Sequence, residues 1–229
     1  MVIDKNKIVS MDEAVYQKLK TALAKRYIRP NSQLVETTIA EQLGVSRTPV
    51  RAALKRMVYD GFVQMIPNKG AFVVNPSIDE IHNAFVVRSC LEQKSAYLAA
   101  QNFTKDMMPD FTEMIAEEKR ISEARDVDEY YSLNDKFHFK IAEISANPML
   151  NQYVQEIISR TNIFLVLFDP FFQIEVFTCI NEHQDIINAL QNNDPEGCAK
   201  AMEKHLRCTL EEMNLAEIGE KIPEDFLYL

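Results

Sequence analysis

Three of the chain's four histidines fall on the apolar sides of three different predicted helices. His138 lies beside Phe137 and Ile141, His183 continues the stripe Val176, Ile180, Ile187 and Leu190, and His205 continues Cys198, Met202 and Thr209. Inward-facing histidines from three helices can converge in a bundle. Neutral imidazoles are good ligands for Zn, Ni, Cu or Fe, and three of them with an open position leave room for water or an anion. The same residues also read as core histidines, each satisfied by a hydrogen bond, and spacing alone does not choose between the two. His82 is isolated near a helix start and reads as surface. There is no H-E-x-x-H and no E-x-x-H pair of the di-iron type, so a metalloenzyme would lack an obvious general base.

A second constellation suits a polyanion. Arg47 and Arg51 are four residues apart on one face of a predicted helix, at its very start, with the hydroxyls of Ser46 and Thr48 beside them. A structural helix more often places acids in that first turn, to complement its dipole. An arginine can donate two bonds to guanine O6 and N7, while hydroxyls and helix-start N–H groups suit phosphate oxygens. A solvated basic helix in a small interaction domain is the other reading.

The elements that must hold these groups can be read around them. Ser10 with Glu13 has the form of a capping box, followed by Val15, Leu19, Ala22 and Leu23 at helical spacing until the Arg29-Pro30-Asn31-Ser32 break. A short helix at about Glu36 to Leu43 ends at Gly44, and Ser46 is placed to cap a third helix that runs on to Gly61, with Pro49 in its first turn. Phe62–Ile66 and Ala71–Val74 are β-rich runs joined by Pro67-Asn68-Lys69-Gly70, which has hairpin-turn chemistry. Three helices and a hairpin describe a winged helix-turn-helix, with Lys69 on the wing within reach of a DNA backbone or minor groove.

Beyond Asn75-Pro76-Ser77 the pattern shows no persuasive strand and roughly six helices, bounded by Pro, Asn-Pro or Asp-Pro, for which an antiparallel bundle is the natural fold. Ser77 with Glu80 repeats the capping box, and the later helices fall at about Lys105 to Arg125, Val127 to Ala146, Pro148 to Phe168, Phe171 to Asn192 and Pro195 to Glu217. The last dozen or so residues read as an extended tail. Charge divides at the same place. Residues 1–75 hold twelve Lys and Arg against six Asp and Glu, while residues 76–229 hold thirteen against 28, within an overall net charge of −9. A basic module on an acidic body fits polyanion binding, although chance segregation of surface charge would look the same. The expected fold is therefore mainly α, with a winged helix-turn-helix domain at 1–75 and an all-α bundle at 76–229.

Several classes are excluded or disfavoured. The longest apolar run, Ile163 to Phe168, is far short of a bilayer span, and Met1 to Ser10 lacks the apolar stretch of a secretory signal, so a cytoplasmic protein is expected. Cys90, Cys179, Cys198 and Cys208 form no C-x-x-C pair and read as reduced thiols.

The run Leu43-Gly44-Val45-Ser46-Arg47-Thr48-Pro49-Val50-Arg51-Ala52-Ala53-Leu54, with Asp60-Gly61-Phe62-Val63 and Asn68-Lys69-Gly70-Ala71-Phe72-Val73, closely resembles the DNA-binding domain of the GntR superfamily of bacterial transcription regulators. The resemblance implies base reading by Arg47 and Arg51, and phosphate contacts from Ser46, Thr48, Lys69 and Gly70. Thr37 stands where some members carry a further DNA-contacting arginine, so the preferred base sequence is expected to differ. Ala52 replaces the family's usual Glu, with no functional consequence drawn from it.

The second half is similar, more loosely, to the FCD ligand-sensing domain of the FadR-like branch, through Val87–Glu92, Phe137–Ala142, Asn147-Pro148, Glu182–Ile187 and His205-Leu206. That resemblance implies a divalent metal, Zn, Ni or similar, held by His138, His183 and His205 beneath an effector pocket. The family's Asp or Asn four residues before the first histidine is here Asn134, a neutral and weaker ligand, whereas Asp135 points about 100° away on a helix. A small organic or sugar acid would complete the open metal position, with Arg88 as a second anchor unless Arg88 pairs structurally with Glu92. The implied whole is a homodimeric regulator of a palindromic double-stranded operator, not an enzyme. A dimer whose helical domain is only structural, and less readily a metalloenzyme with a DNA-binding appendage, are the alternatives.

Overall fold

The computed structural model describes residues 10–168 and 178–213, with the backbone alone at Val127, Asp128, Thr178 and Cys179. The chain divides into two compact units at the Asn75–Pro76 bond.

The first unit contains α1 (Met11–Ala24), β1 (Gln33–Leu34), α2 (Glu36–Leu43), α3 (Arg47–Tyr59), β2 (Val63–Ile66) and β3 (Gly70–Val73). Val15, Leu19 and Leu23 of α1 and Val50 and Met57 of α3 are buried, and the two helices pack against each other. Gly44 separates α2 from α3 at φ +64°, a left-handed conformation that glycine adopts without steric cost. The turn between β2 and β3 uses Asn68 at φ +61° and Gly70 at φ +94°. These are the three helices and wing expected from the residues.

Three local details differ. The sheet has a third strand, β1, which pairs antiparallel with β3 through Gln33 opposite Phe72 and Leu34 opposite Ala71. Two residues are too short to carry a period-two signal. Ser10 makes no side-chain cap bond: its hydroxyl serves Asp12, while Glu13 pairs with Arg56 and accepts from Gln17. Ser46 occupies the N-cap position of α3 with extended backbone, but its hydroxyl caps nothing and is exposed.

The second unit is helical among the described residues: α4 (Ile78–Asn102), a single 3-10 turn (Lys105–Met107), α5 (Met108–Ala124), α6 (Val127–Ile144), α7 (Pro148–Phe168), α8 (Thr178–Gln191) and α9 (Pro195–Glu212). The Ser77–Glu80 capping box is formed in both directions at the start of α4. The predicted start of the fifth helix at Phe171, Val176 of its stripe, and the tail from Asn214 lie outside the described residues.

The 25-residue α4 packs against α6, α7, α8 and α9 and so forms the central column. Around it, Phe111, Phe137, Ile141, Ile186, Leu190, Cys198, Met202 and Leu206 make one continuous apolar core. Burial pushes the Cys198 thiol up to about 12, leaving it an inert core group. No helix among the described residues is long and apolar enough to cross a membrane.

Candidate functional site

In the helical unit, α6, α8 and α9 each turn one histidine inward, and the three rings meet. His138 stacks on His205 with ring centres 5.2 Å apart and 25° between planes, and His183 lies 4.7 Å from His205 and 5.9 Å from His138. One ligand atom from each imidazole lies within 4.8 Å of the others. All three side chains are buried.

What orients the rings is a carboxylate behind each. His138 Nδ1 contacts Glu92 Oε2, His183 Nδ1 lies 2.9 Å from Glu118 Oε2, and His205 Nδ1 lies 2.9 Å from Glu182 Oε2. A carboxylate can only accept, so each Nδ1 carries a proton, and in a neutral ring Nε2 then keeps its lone pair. Burial holds His205 down to about 3, and it lowers His138 too, although Glu92 pulls that ring the other way. Both are therefore neutral, the state in which an imidazole ligates a metal.

The Nε2 atoms of His138 and His183 are buried without a hydrogen-bond partner among the described residues. An orphaned buried polar atom costs about 1–3 kcal/mol, and two in one cluster are hard to account for as core packing. A divalent cation satisfies such a donor set, so these residues fit the group that the sequence implied.

The proposed fourth ligand and effector anchor lie next to this cluster. Asn134, Arg88, His205, Tyr130, Tyr131, Leu165 and Thr209 line a cavity of about 20 Å³. Arg88, 1% exposed, donates from Nε to Glu92 Oε1 at 2.6 Å and from Nη1 to Thr161 Oγ1 at 3.0 Å. The pairing with Glu92 left open by the residues is thus made, and Glu92 also serves His138. The third guanidinium nitrogen, Nη2, carries two further N–H groups. Asp135, as its helical angle required, is occupied elsewhere, accepting from Asn162 Nδ2 at 2.5 Å. His82 is exposed.

In the first unit, Ser46, Arg47, Thr48 and Arg51 are all exposed at the start of α3, and Lys69 is exposed on the wing beside Gly70. The two guanidiniums are not free rods in solvent. Both lie on Glu36, the first residue of α2, with Arg47 Nη2 at 3.2 Å and Arg51 Nη2 at 2.9 Å from its Oε2, and Arg51 Nε at 3.1 Å from its Oε1. Glu36, Thr37, Arg47, Arg51 and Lys55 border a groove of about 660 Å³ that Leu34, Leu54 and Met65 floor with apolar surface. The backbone carbonyl of Lys69 accepts from Gln33 Nε2 at 2.6 Å, tying the wing tip to β1.

Glu36 and the two carboxylates Glu118 and Glu182 join these sites without any signal in their own sequence surroundings. An acid one turn from a basic residue on the same helix is a visible signal, as with Arg88 and Glu92, but a pairing between helices has no fixed spacing.

Comparison with known proteins gives matches to two family models. Residues 11–73 match the bacterial regulatory proteins of the gntR family, and residues 83–207 match the FCD domain. The chain is 28% identical over 217 residues to the HTH-type transcriptional regulator McbR of Escherichia coli, covering 93% of this chain and 94% of that one. It is 24% identical over 198 residues to the HTH-type transcriptional repressor RspR of the same organism, covering 86% of each. Its fold is similar to the solved structure of E. coli McbR/YncC, with a TM-score of 0.64 and 25% identity over 89% of this chain and 97% of that one. A putative GntR regulator from Rhodococcus gives a TM-score of 0.63 at 19% identity over 89% of this chain and 97% of that one, a likeness of fold alone.

Proposed function

The chain belongs to the FCD-containing bacterial GntR regulators, DNA-binding transcription factors, and from that premise we propose that it binds a palindromic operator as a homodimer under control of a small carboxylate held at a divalent metal. Residues 1–75 would form the DNA-binding domain and residues 76–229 the sensing and dimerisation domain. Its place of action would be the cytoplasm, where bacterial DNA lies.

On DNA, Arg47 and Arg51 would read base edges in the major groove, with Ser46, Thr48, Lys69 and Gly70 on phosphates. One recognition helix reads only a few base pairs, so two half-sites about one helical turn apart, roughly 34 Å, multiply discrimination. Exposed Val86 and Val87 on α4 and Met149 and Tyr153 on α7, two helices that pack together, offer apolar surface suited to a second copy.

In the helical domain, His138, His183 and His205 would hold Zn, Ni or a similar ion, with Asn134 as fourth ligand. The observation that carries this reading is the set of three buried imidazoles, each with Nδ1 on a carboxylate, two of them with orphaned Nε2 atoms. The ion, when bound, supplies a Lewis-acidic position that attracts carboxylate oxygens. Arg88 would be the second anchor for the organic or sugar acid. The adjoining cavity of about 20 Å³ has room for a water but not for such an acid, so entry of the effector must push its Tyr130, Tyr131 and Leu165 walls apart. That displacement is the motion available to couple ligand to DNA affinity.

Elemental analysis of the purified chain beside a His138→Ala, His183→Ala, His205→Ala variant tests the metal. About one ion per chain in the parent and none in the variant is expected; no metal in either demotes the cluster to packing and leaves a DNA-binding dimer with a structural helical domain.

A further inference from the structure

Glu36 binds both arginines at once, and the geometry of that contact leaves specific edges of each guanidinium unused. Arg51 meets the carboxylate side-on: Nε faces Oε1 at 3.1 Å and Nη2 faces Oε2 at 2.9 Å. A guanidinium has two forks, the side-on pair Nε and Nη2 and the end-on pair Nη1 and Nη2. With the side-on fork on Glu36, the end-on fork of Arg51 projects beyond it, and that is a pair of donors matched to guanine O6 and N7. Arg47 gives Glu36 only Nη2, at 3.2 Å.

The side-chain exposures support the same assignment. Arg47 and Arg51 are 59% and 56% exposed, whereas Glu36 is only 28% exposed. The carboxylate therefore sits behind the arginines. It is anchored at the first turn of α2, where the helix dipole favours an anion, and its own proton affinity is lowered chiefly by the hydrogen bond from Arg51. Arg47 and Arg51 are one turn apart on α3, so a single fixed anion between them sets the spacing of both.

We infer that Glu36 is a specificity-determining positioning residue, which holds the Arg47 and Arg51 forks ready for base edges and at the same time weakens attraction to DNA of any sequence. The second effect follows from charge. Glu36 reduces the local charge of the trio from +2 to +1, and nonspecific affinity scales with the phosphate charge that a protein neutralises. The first follows from order: two long side chains already held in one orientation lose less freedom when they meet the bases. An anion that only competed with DNA would depress specific and nonspecific binding alike. A positioning anion depresses nonspecific binding while supporting specific binding, and so enlarges the ratio between them.

This inference rests on the DNA-reading role proposed above for α3. Its test uses full-length protein and two duplexes of equal length, one selected by the parent from a randomised pool and one of shuffled sequence. Glu36→Gln removes the charge with little change of shape, and Glu36→Ala removes the hydrogen-bond acceptor as well; unchanged thermal midpoints establish that both are folded. Each variant is expected to bind the shuffled duplex several-fold more tightly, with a steeper salt dependence, and to lose roughly tenfold in the ratio of selected to shuffled affinity. An equal gain on both duplexes, or an unchanged ratio, overturns the inference. Arg47→Ala is run beside them: if it leaves selected-duplex affinity intact the DNA-reading role itself fails, whereas a loss there with an unchanged ratio in the Glu36 variants defeats Glu36 alone.

Discussion

Glu182 and His205 lie on neighbouring helices, and the carboxylate Oε2 of the first accepts the Nδ1–H of the second at 2.9 Å, although Glu182 is the chain neighbour of His183. His183 instead turns to Glu118 on α5. The pairing is crossed because residues adjacent on a helix point about 100° apart. Glu182 therefore faces α9, where His205 lies, while His183 faces the centre. Each imidazole thus has its orientation fixed from a different helix.

Removing one of these carboxylates should weaken the proposed metal binding without touching a proposed ligand. Glu118→Ala leaves His183 Nδ1–H without its acceptor, which frees the ring and lowers the basicity of Nε2. Loss of such a partner typically costs about 10–100-fold in affinity. Competition with a chelator of known strength measures it, and an affinity equal to that of the parent removes Glu118 from the site's support.

Acid should destabilise the metal-free protein through the same histidines. Burial lowers His205 to about 3, against 6.5 for an ordinary imidazole, and lowers His138 as well. Below 6.5 the unfolded chain takes up a proton that the folded chain refuses. Stability is therefore full above 6.5 and declines as pH falls toward about 3, by up to about 1.4 kcal/mol per pH unit for each such imidazole. The acidic body relaxes its own repulsion over the same range and offsets part of this. Thermal midpoints of chelated parent and triple-histidine variant at each pH isolate the histidine contribution; parallel curves would show that burial of neutral imidazole is not what acid disturbs.

The fold was largely legible because its signals are local. Gly44, the Ser77–Glu80 box and the Asn68–Gly70 turn fix boundaries through backbone chemistry that a single chain segment carries. The convergence of His138, His183 and His205 could be posed from their apolar stripes. Their partners could not, since Glu92, Glu118 and Glu182 come from separate helices and only tertiary packing makes them neighbours. The same limit hid Glu36: an acid at the start of α2 reads as a dipole partner, and nothing in its spacing points across to Arg47 and Arg51.

Two basic residues of the winged domain should behave differently when truncated. Arg47→Ala is expected to cost about 1–3 kcal/mol on selected DNA and to relax base preference at one position, if the proposed base-reading fork is lost. Lys69→Ala on the wing should weaken all sequences evenly and reduce the salt slope by about one. Binding titrations across several salt concentrations separate the two, and a base-specific effect of Lys69→Ala would reverse the roles assigned to helix and wing.

Arg88 should be costly to remove even in the absence of any effector. Its charge is buried against Glu92, Thr161 satisfies a second nitrogen, and Glu92 in turn holds His138. Arg88→Met keeps most of the volume but leaves Glu92 buried beside a single neutral imidazole. Breaking a buried pair from one side generally costs about 3–5 kcal/mol. Arg88→Met, Glu92→Gln together removes both charges and should recover part of that loss, since the amide can still accept from His138. Chemical denaturation of the parent, the double variant and each of the two single variants, Arg88→Met and Glu92→Gln, yields the coupling between the two residues. A double variant no more stable than Arg88→Met would mean that the arginine acts through packing and Thr161, and not through its pairing with Glu92.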